Sequence, residues 1–151
     1  MARASREKYP SLAAWVQAIL EREGKTILIA EGDDRLAELF ADLFTFERWT
    51  VAPYNAGQRA VDALAGSAPY DAVLVNNRLH GMSGVDLITR IRALAHRRNV
   101  PIVMVTGSGD VDVVAAALAA GADDVLYKPV DVVILVDTVN KCVERRREHN
   151  T

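Results

Sequence analysis

The residues able to do chemistry fall directly after short apolar runs. Glu31, Gly32, Asp33 and Asp34 follow the run at 27–30, and the stretch 76–84 follows the run at 72–75. Thr106, Gly107 and Ser108 follow the run at 102–105, and Lys128 with Pro129 follows the weaker run at 125–127. Together they offer carboxylates, a carboxamide, a hydroxyl and an ammonium. The Lys128 ammonium can donate to a phosphate or to another pocket oxygen. Glu31 and Asp33 could attract a hydrated cation. The Asn76 carboxamide differs in kind, because its nitrogen lone pair is delocalised and its oxygen is uncharged. Elsewhere the chemistry is thin. Cys142 is the only cysteine, which excludes an internal disulfide and a zinc site of paired cysteines. It reads as a small packed residue rather than a reactive thiol. His80, His96 and His149 lack metal-ligand spacing and read as surface histidines.

The elements that must position these groups follow from the apolar pattern. Ile27, Leu28, Ile29 and Ala30 are continuously apolar, as are Ala72 to Val75 and Ile102 to Val105. Apolarity without alternation means burial on both faces, the mark of a parallel sheet. Val51 with Ala52, and Val125 with Leu126 and Tyr127, are weaker strands. Helical patterns lie between them. Leu36, Leu39, Phe40 and Leu43 recur at i, i+3, i+4 and i+7 behind Asp33 or Asp34 as the cap. Further helices are expected over 58–64, 85–94, 111–120 (ending at Gly121) and 132–143. The order is (βα)5. Right-handed crossovers put helices on both faces of a five-stranded parallel sheet, and in such sheets ligands bind beyond the carboxyl ends of the strands.

The chain has 151 residues, 50% hydrophobic and 25% charged, with 18 basic and 20 acidic side chains and a net charge of -2. That suits one globular domain with a short appendage. The near balance argues against nucleic acid as the default partner. No run approaches the about 18 apolar residues of a membrane span, and residues 1–10 carry no apolar core of a signal peptide, so a cytoplasmic location is expected. Residues 1–24 stand apart from the repeat. Pro10 and Ser11 look like a helix start, and Leu12, Trp15, Val16, Ile19 and Leu20 form one apolar stripe. The division expected is an extension with an amphipathic helix over 1–24, one domain over 25–147 and a tail over 148–151.

The domain resembles a response-regulator receiver domain of two-component signalling. The resemblance is carried by Ile27 to Glu31, Tyr70 to Asn76, Gly81-Met82-Ser83-Gly84, Val105-Thr106-Gly107 and Ala120 to Pro129, in order and at family spacing. It implies a flavodoxin-like, doubly wound fold with strand order 2-1-3-4-5. It also implies a site for phosphoryl transfer onto an aspartate with Mg²⁺. By the resemblance, Lys128 and Thr106 are the phosphate-pocket lysine and switch hydroxyl, and Glu31 is the first of two acids, with Asp33 close by.

The departures from the pattern are specific. Asn76 stands at the phosphoacceptor position, where a carboxamide cannot serve as the nucleophile. Gly32 stands where the metal-binding acid belongs, Val125 at the aromatic switch position and His80 at a loop proline. No metal is expected at the degenerate set Gly32, Asn76 and Arg78, and no cofactor beyond weakly held Mg²⁺. The side chain of Asn76 is expected to bond Lys128 or loop backbone. The reading is a non-enzymatic, phosphorylation-independent interaction module. The alternative is an ordinary phosphoaccepting receiver carrying an inactivating Asp-to-Asn change at position 76. A nucleotide- or flavin-binding relative is disfavoured because no glycine-rich loop follows the first strand.

The contact surface expected is Val113, Ala116, Ala119, Val125 and Ile134. The last helix is expected to bury Val132, Leu135, Val136, Val139 and Val143 and to turn Ile134, Thr138 and Lys141 outward. Partners expected are a protein such as a histidine kinase or output protein and a second copy of this chain, with neither nucleic acid nor membrane. Arg90, Arg92, Arg97 and Arg98 crowd one helix end with His96. They read as cations at a helix C-terminus, with an acidic partner as the other reading.

Overall fold

The structure, a computed structural model, describes residues 11–14, 16–17, 24–107 and 111–149. It contains β1 (Thr26–Ala30), α1 (Asp34–Phe46), β2 (Thr50–Tyr54), α2 (Gly57–Ala65), β3 (Ala72–Asn76) and α3 (Gly84–Ala93). These are followed by β4 (Ile102–Thr106), α4 (Val111–Ala120), β5 (Asp124–Tyr127) and α5 (Val132–His149). The five strands form one parallel sheet in the order β2-β1-β3-β4-β5. This is the doubly wound, flavodoxin-like arrangement.

The core explains why the inner strands read as unbroken apolar runs. Successive strand residues alternate between the two faces of the sheet. Ile27, Ile29, Leu74, Val103 and Val105 pack with Phe40 and Phe44 of α1 and Leu135, Val139 and Cys142 of α5. Leu28, Ala30, Val73, Val75 and Met104 pack with Ala60 and Leu64 of α2, Leu87, Ile88 and Ile91 of α3, and Ala117 of α4. The weaker strands β2 and β5 are the sheet's edges. Pro53 is tolerated in β2 because an edge strand has one side free of ladder bonds.

Local signals behave as their chemistry requires. Asp33 caps α1, its carboxylate accepting the N–H groups of Arg35 and Leu36 at 2.9 and 3.1 Å. Ser83 caps α3 through Asp86 N–H. Gly121 follows α4 with φ of 116°, a left-handed turn that favours glycine. Burial pushes the Cys142 thiol above its ordinary pKa, as suits a packed residue.

Three burial assignments differ from the sequence reading. Leu39 is 54% exposed, and Phe44 takes its place in the core. Thr138 is buried, because at i+3 from Leu135 it shares that residue's face, whereas Val132, the first residue of α5, is exposed. Of the N-terminal stripe, Leu12 and Val16 lie in helical segments and are exposed. Trp15, Ile19 and Leu20 lie outside the described residues, as does Ser108.

Candidate functional site

The carboxyl ends of β1, β3, β4 and β5 deliver Glu31, Asn76, Thr106 and Lys128 to one end of the sheet. A cleft of about 560 Å³ opens there, lined by Asn76, Asn77, Arg78, Thr106, Gly107, Val113 and Lys128. Glu31 lies beneath it, 1% exposed.

Glu31 organises the floor. Its Oε1 accepts Asn76 Nδ2–H at 2.5 Å and Asp33 N–H at 3.1 Å. Its Oε2 lies 3.8 Å from Lys128 Nζ, within ion-pair range but too long for a hydrogen bond, and accepts none. The carboxylate is therefore held firmly at one oxygen and only electrostatically at the other. Asn76 is buried, and its Oδ1 makes a long contact of 3.4 Å with Arg78 N–H. Of the two partners expected, loop backbone is met through that long contact and Lys128 is not, while the main partner is Glu31. Adjacency of β1 and β3 puts the ends of the two strands side by side, and the amide is the donor that the carboxylate needs.

Gly32 and Arg78 are in close contact. A Cβ on Gly32 would lie 2.8 Å from Arg78 O, a backbone atom, and 3.4 Å from Leu79 Cα. The loop after β3 thus closes on Gly32, a position without a side chain two residues beyond the end of β1. Asp33, placed in the site by the sequence reading, is exposed and turned to the cap of α1. Its contribution to the cleft floor is its backbone N–H.

These features decide a family. The model of the response regulator receiver domain matches residues 27–140. The chain belongs to the response-regulator receiver family. Receiver domains are signalling modules that work with histidine kinases and output domains. Curated relatives include the cell cycle transcriptional regulator CtrA of Caulobacter vibrioides, 28% identical over 123 residues, covering 82% of this chain and 52% of that protein. Another is the transcriptional regulatory protein TcrA of Mycobacterium tuberculosis, 37% identical over 106 residues, covering 70% and 41%. The chain therefore spans about half the length of these relatives, or less. Among solved structures, the receiver domain of a sensor histidine kinase from Pseudomonas aeruginosa matches with a TM-score of 0.74 and 26% identity, covering 80% of this chain and 98% of that one. That structure holds a magnesium ion in its active-site cleft. A two-component response regulator from Clostridium difficile matches with a TM-score of 0.73 and 25% identity, covering 80% and 97%.

The remaining receiver positions are now placed. Val113 and Val125 are half-buried against the core, so they offer only part of a surface. Ala116, Ala119 and Ile134 are exposed as expected. The sequence reading missed Val133, 74% exposed, and Tyr127, 49% exposed, near Val132 and Ile134. Among the described residues no helix is long and apolar enough to cross a membrane. His80 is exposed, whereas exposed His96 has its Nε2 within 2.9 and 3.0 Å of Leu64 O and Gly66 O.

The arginine group was only partly legible. Arg90 and Arg92 do lie in the last turn of α3. Arg92, however, reaches Gly121 O, Val100 O and Asp123, tying the end of α4 to the start of β4. Arg97 is buried, donates to Leu64 O, Gly66 O and Ala68 O, and lies over the Tyr70 ring. Neither role was visible in sequence, because the partners are mostly backbone carbonyls.

Proposed function

We propose that this receiver domain acts as a phosphorylation-independent protein-interaction module. The observation that carries the reading is Asn76, a buried carboxamide at the phosphoacceptor position, bonded to Glu31 at 2.5 Å. A carboxamide oxygen has no charge to drive attack on phosphorus, and its nitrogen lone pair is delocalised.

The donor set does not fit Mg²⁺. The ion requires hard oxygen ligands in near-ideal octahedral array. Gly32 has no ligand to give, and Asn76 and Glu31 are bonded to each other. Among the described residues, the cleft lining contains two cations, Arg78 and Lys128, and no carboxylate. Among the described residues no group of three or more His, Cys, Asp or Glu could hold a metal. Thr106 and Lys128 remain as a phosphate pocket in residue type, with no nucleophile to load it. Val125 at the switch position lacks the aromatic ring whose rotation would report a change at Thr106.

The surface for contact lies on α4, β5 and the start of α5. Ala116, Ala119, Val132, Val133 and Ile134 are exposed there, apolar and free of formal charge. An apolar surface of this kind suits a standing interface, and the partner we infer is a second copy of this chain, or a histidine kinase or output protein.

The retained Glu31, Thr106 and Lys128 favour a second reading, an ordinary receiver with one inactivating change. Restoring Asn76→Asp separates the two. With acetyl phosphate and Mg²⁺, the variant is expected to stay unphosphorylated by intact mass, because Gly32 still supplies no carboxylate to the metal site. Efficient phosphorylation of that single variant would establish the second reading instead.

A further inference from the structure

A second pocket lies at the opposite end of the sheet. It occupies about 290 Å³ at the amino ends of β3 and β4, beside the last turns of α5. Arg97, Arg98, Arg146 and Arg147 line it, against a single aspartate, Asp71. The chain as a whole carries a net charge of -2, so this positive cluster is local and runs against the overall balance.

Of the acids nearby, Asp71 and Asp123 are held by protein donors, while Glu144 and Glu148 on α5 are exposed. Asp71 Oδ2 accepts Thr26 N–H at 2.7 Å. Asp123 Oδ1 takes Arg146 Nε–H at 2.8 Å, while its Oδ2 takes Ile102 N–H at 2.8 Å and a bond from Arg92. Arg97 is likewise committed to carbonyls. Arg98 and Arg147 differ. Both are exposed, and neither side chain pairs with an acid among the described residues. Attraction to a helix C-terminus accounts for arginines at the end of α5. It does not account for Arg98, which comes from a separate segment and meets them across the same pocket.

We propose that this pocket docks a short acidic peptide segment of a partner protein. The pocket is open and slightly smaller than the roughly 300–1,000 Å³ that encloses small ligands, which favours a segment laid across it. The overall negative charge disfavours long polyanions, whereas a few carboxylates match Arg98 and Arg147 and are steered to them. Bidentate guanidinium–carboxylate pairing supplies the recognition.

The test uses the full chain and fluorescein-labelled hexaglutamate, followed by anisotropy. Saturable binding is expected, weakening as salt rises. The Arg98→Glu/Arg147→Glu double variant is expected to lose at least tenfold in affinity. Arg35→Glu, an exposed arginine on α1 at a distance from the pocket, is expected to change it less than twofold. An unchanged thermal midpoint shows that the double variant is folded; if the midpoint falls, Arg98→Gln/Arg147→Gln takes its place with the same expected direction. Absence of saturable binding, equal weakening by Arg35→Glu, or tighter binding of a single-stranded oligonucleotide of equal charge would overturn the proposal. None of these readouts depends on phosphorylation at the other end of the sheet.

Discussion

Asn76 Nδ2 donates to Glu31 Oε1 across the carboxyl ends of β3 and β1, at 2.5 Å and between two buried residues. A neutral donor there lets one carboxylate be buried. A second carboxylate would not.

Asn76→Asp is therefore expected to destabilise the protein at neutral pH by roughly 1–3 kcal/mol, since two buried carboxylates in contact disfavour joint ionisation. The deficit should narrow as pH falls and one of the pair takes a proton, and it should widen again as pH rises through the carboxylate range. Urea unfolding at several pH values measures it. Added Mg²⁺ is expected to restore little of the loss. Full restoration by millimolar Mg²⁺ would mean that a working metal site persists without an acid at position 32.

Gly32→Ala tests the closure of the loop after β3. Its Cβ would lie 2.8 Å from Arg78 O, and backbone cannot yield as a flexible side chain can. A loss of about 1–3 kcal/mol is expected, the usual cost of overpacking. The amide signals of Arg78 and Leu79 should shift together in NMR spectra.

Arg97→Lys should be nearly as damaging as Arg97→Ala. The guanidinium of Arg97 serves carbonyls at Leu64, Gly66 and Ala68 while its plane covers Tyr70. An ammonium cannot reproduce that fork and stack. Losing those bonds and the stacking is expected to cost about 2–4 kcal/mol, measured by chemical denaturation. Full retention of stability in the lysine variant would contradict this role.

Cys142 gives a pH dependence of definite sign. Burial raises its thiol pKa above the ordinary 9.0. The folded state then keeps the proton longer than the unfolded state, so this contribution is complete below about pH 9 and declines as pH rises toward the folded value. Cys142→Ala should flatten the alkaline part of the stability curve. In the native protein the thiol should react with Ellman's reagent only as fast as the domain opens.

If α4, β5 and the start of α5 form the standing interface, the native chain runs as a dimer in light scattering. Val133→Glu/Ile134→Glu should then give a folded monomer, because both side chains are exposed and outside the core. A native chain that is monomeric at every concentration would remove the homodimer from the account.

The fold was legible because burial on both faces writes itself into sequence as unbroken apolar runs, and β1, β3 and β4 are such runs. The edges β2 and β5 were faint for the same physical reason, being only partly buried. On α1 the apolar residues cover a wide arc. Periodicity alone could not choose between Leu39, which is exposed, and Phe44, which is core. Thr138 was assigned outward on polarity, although its helical position puts it with Leu135 and Cys142. The site residues were legible through their spacing against the family pattern. Their pairings were not: Asn76 and Glu31 are 45 residues apart and meet only because β1 and β3 are neighbours.

The central claim is that this receiver domain carries no phosphoryl group. The most direct measurement is the intact mass of the unaltered chain after incubation with acetyl phosphate and Mg²⁺, beside a receiver that has aspartate at the corresponding position. The account predicts an unchanged mass for this chain and a phosphoryl adduct on the control. An adduct on this chain under the same conditions would contradict it.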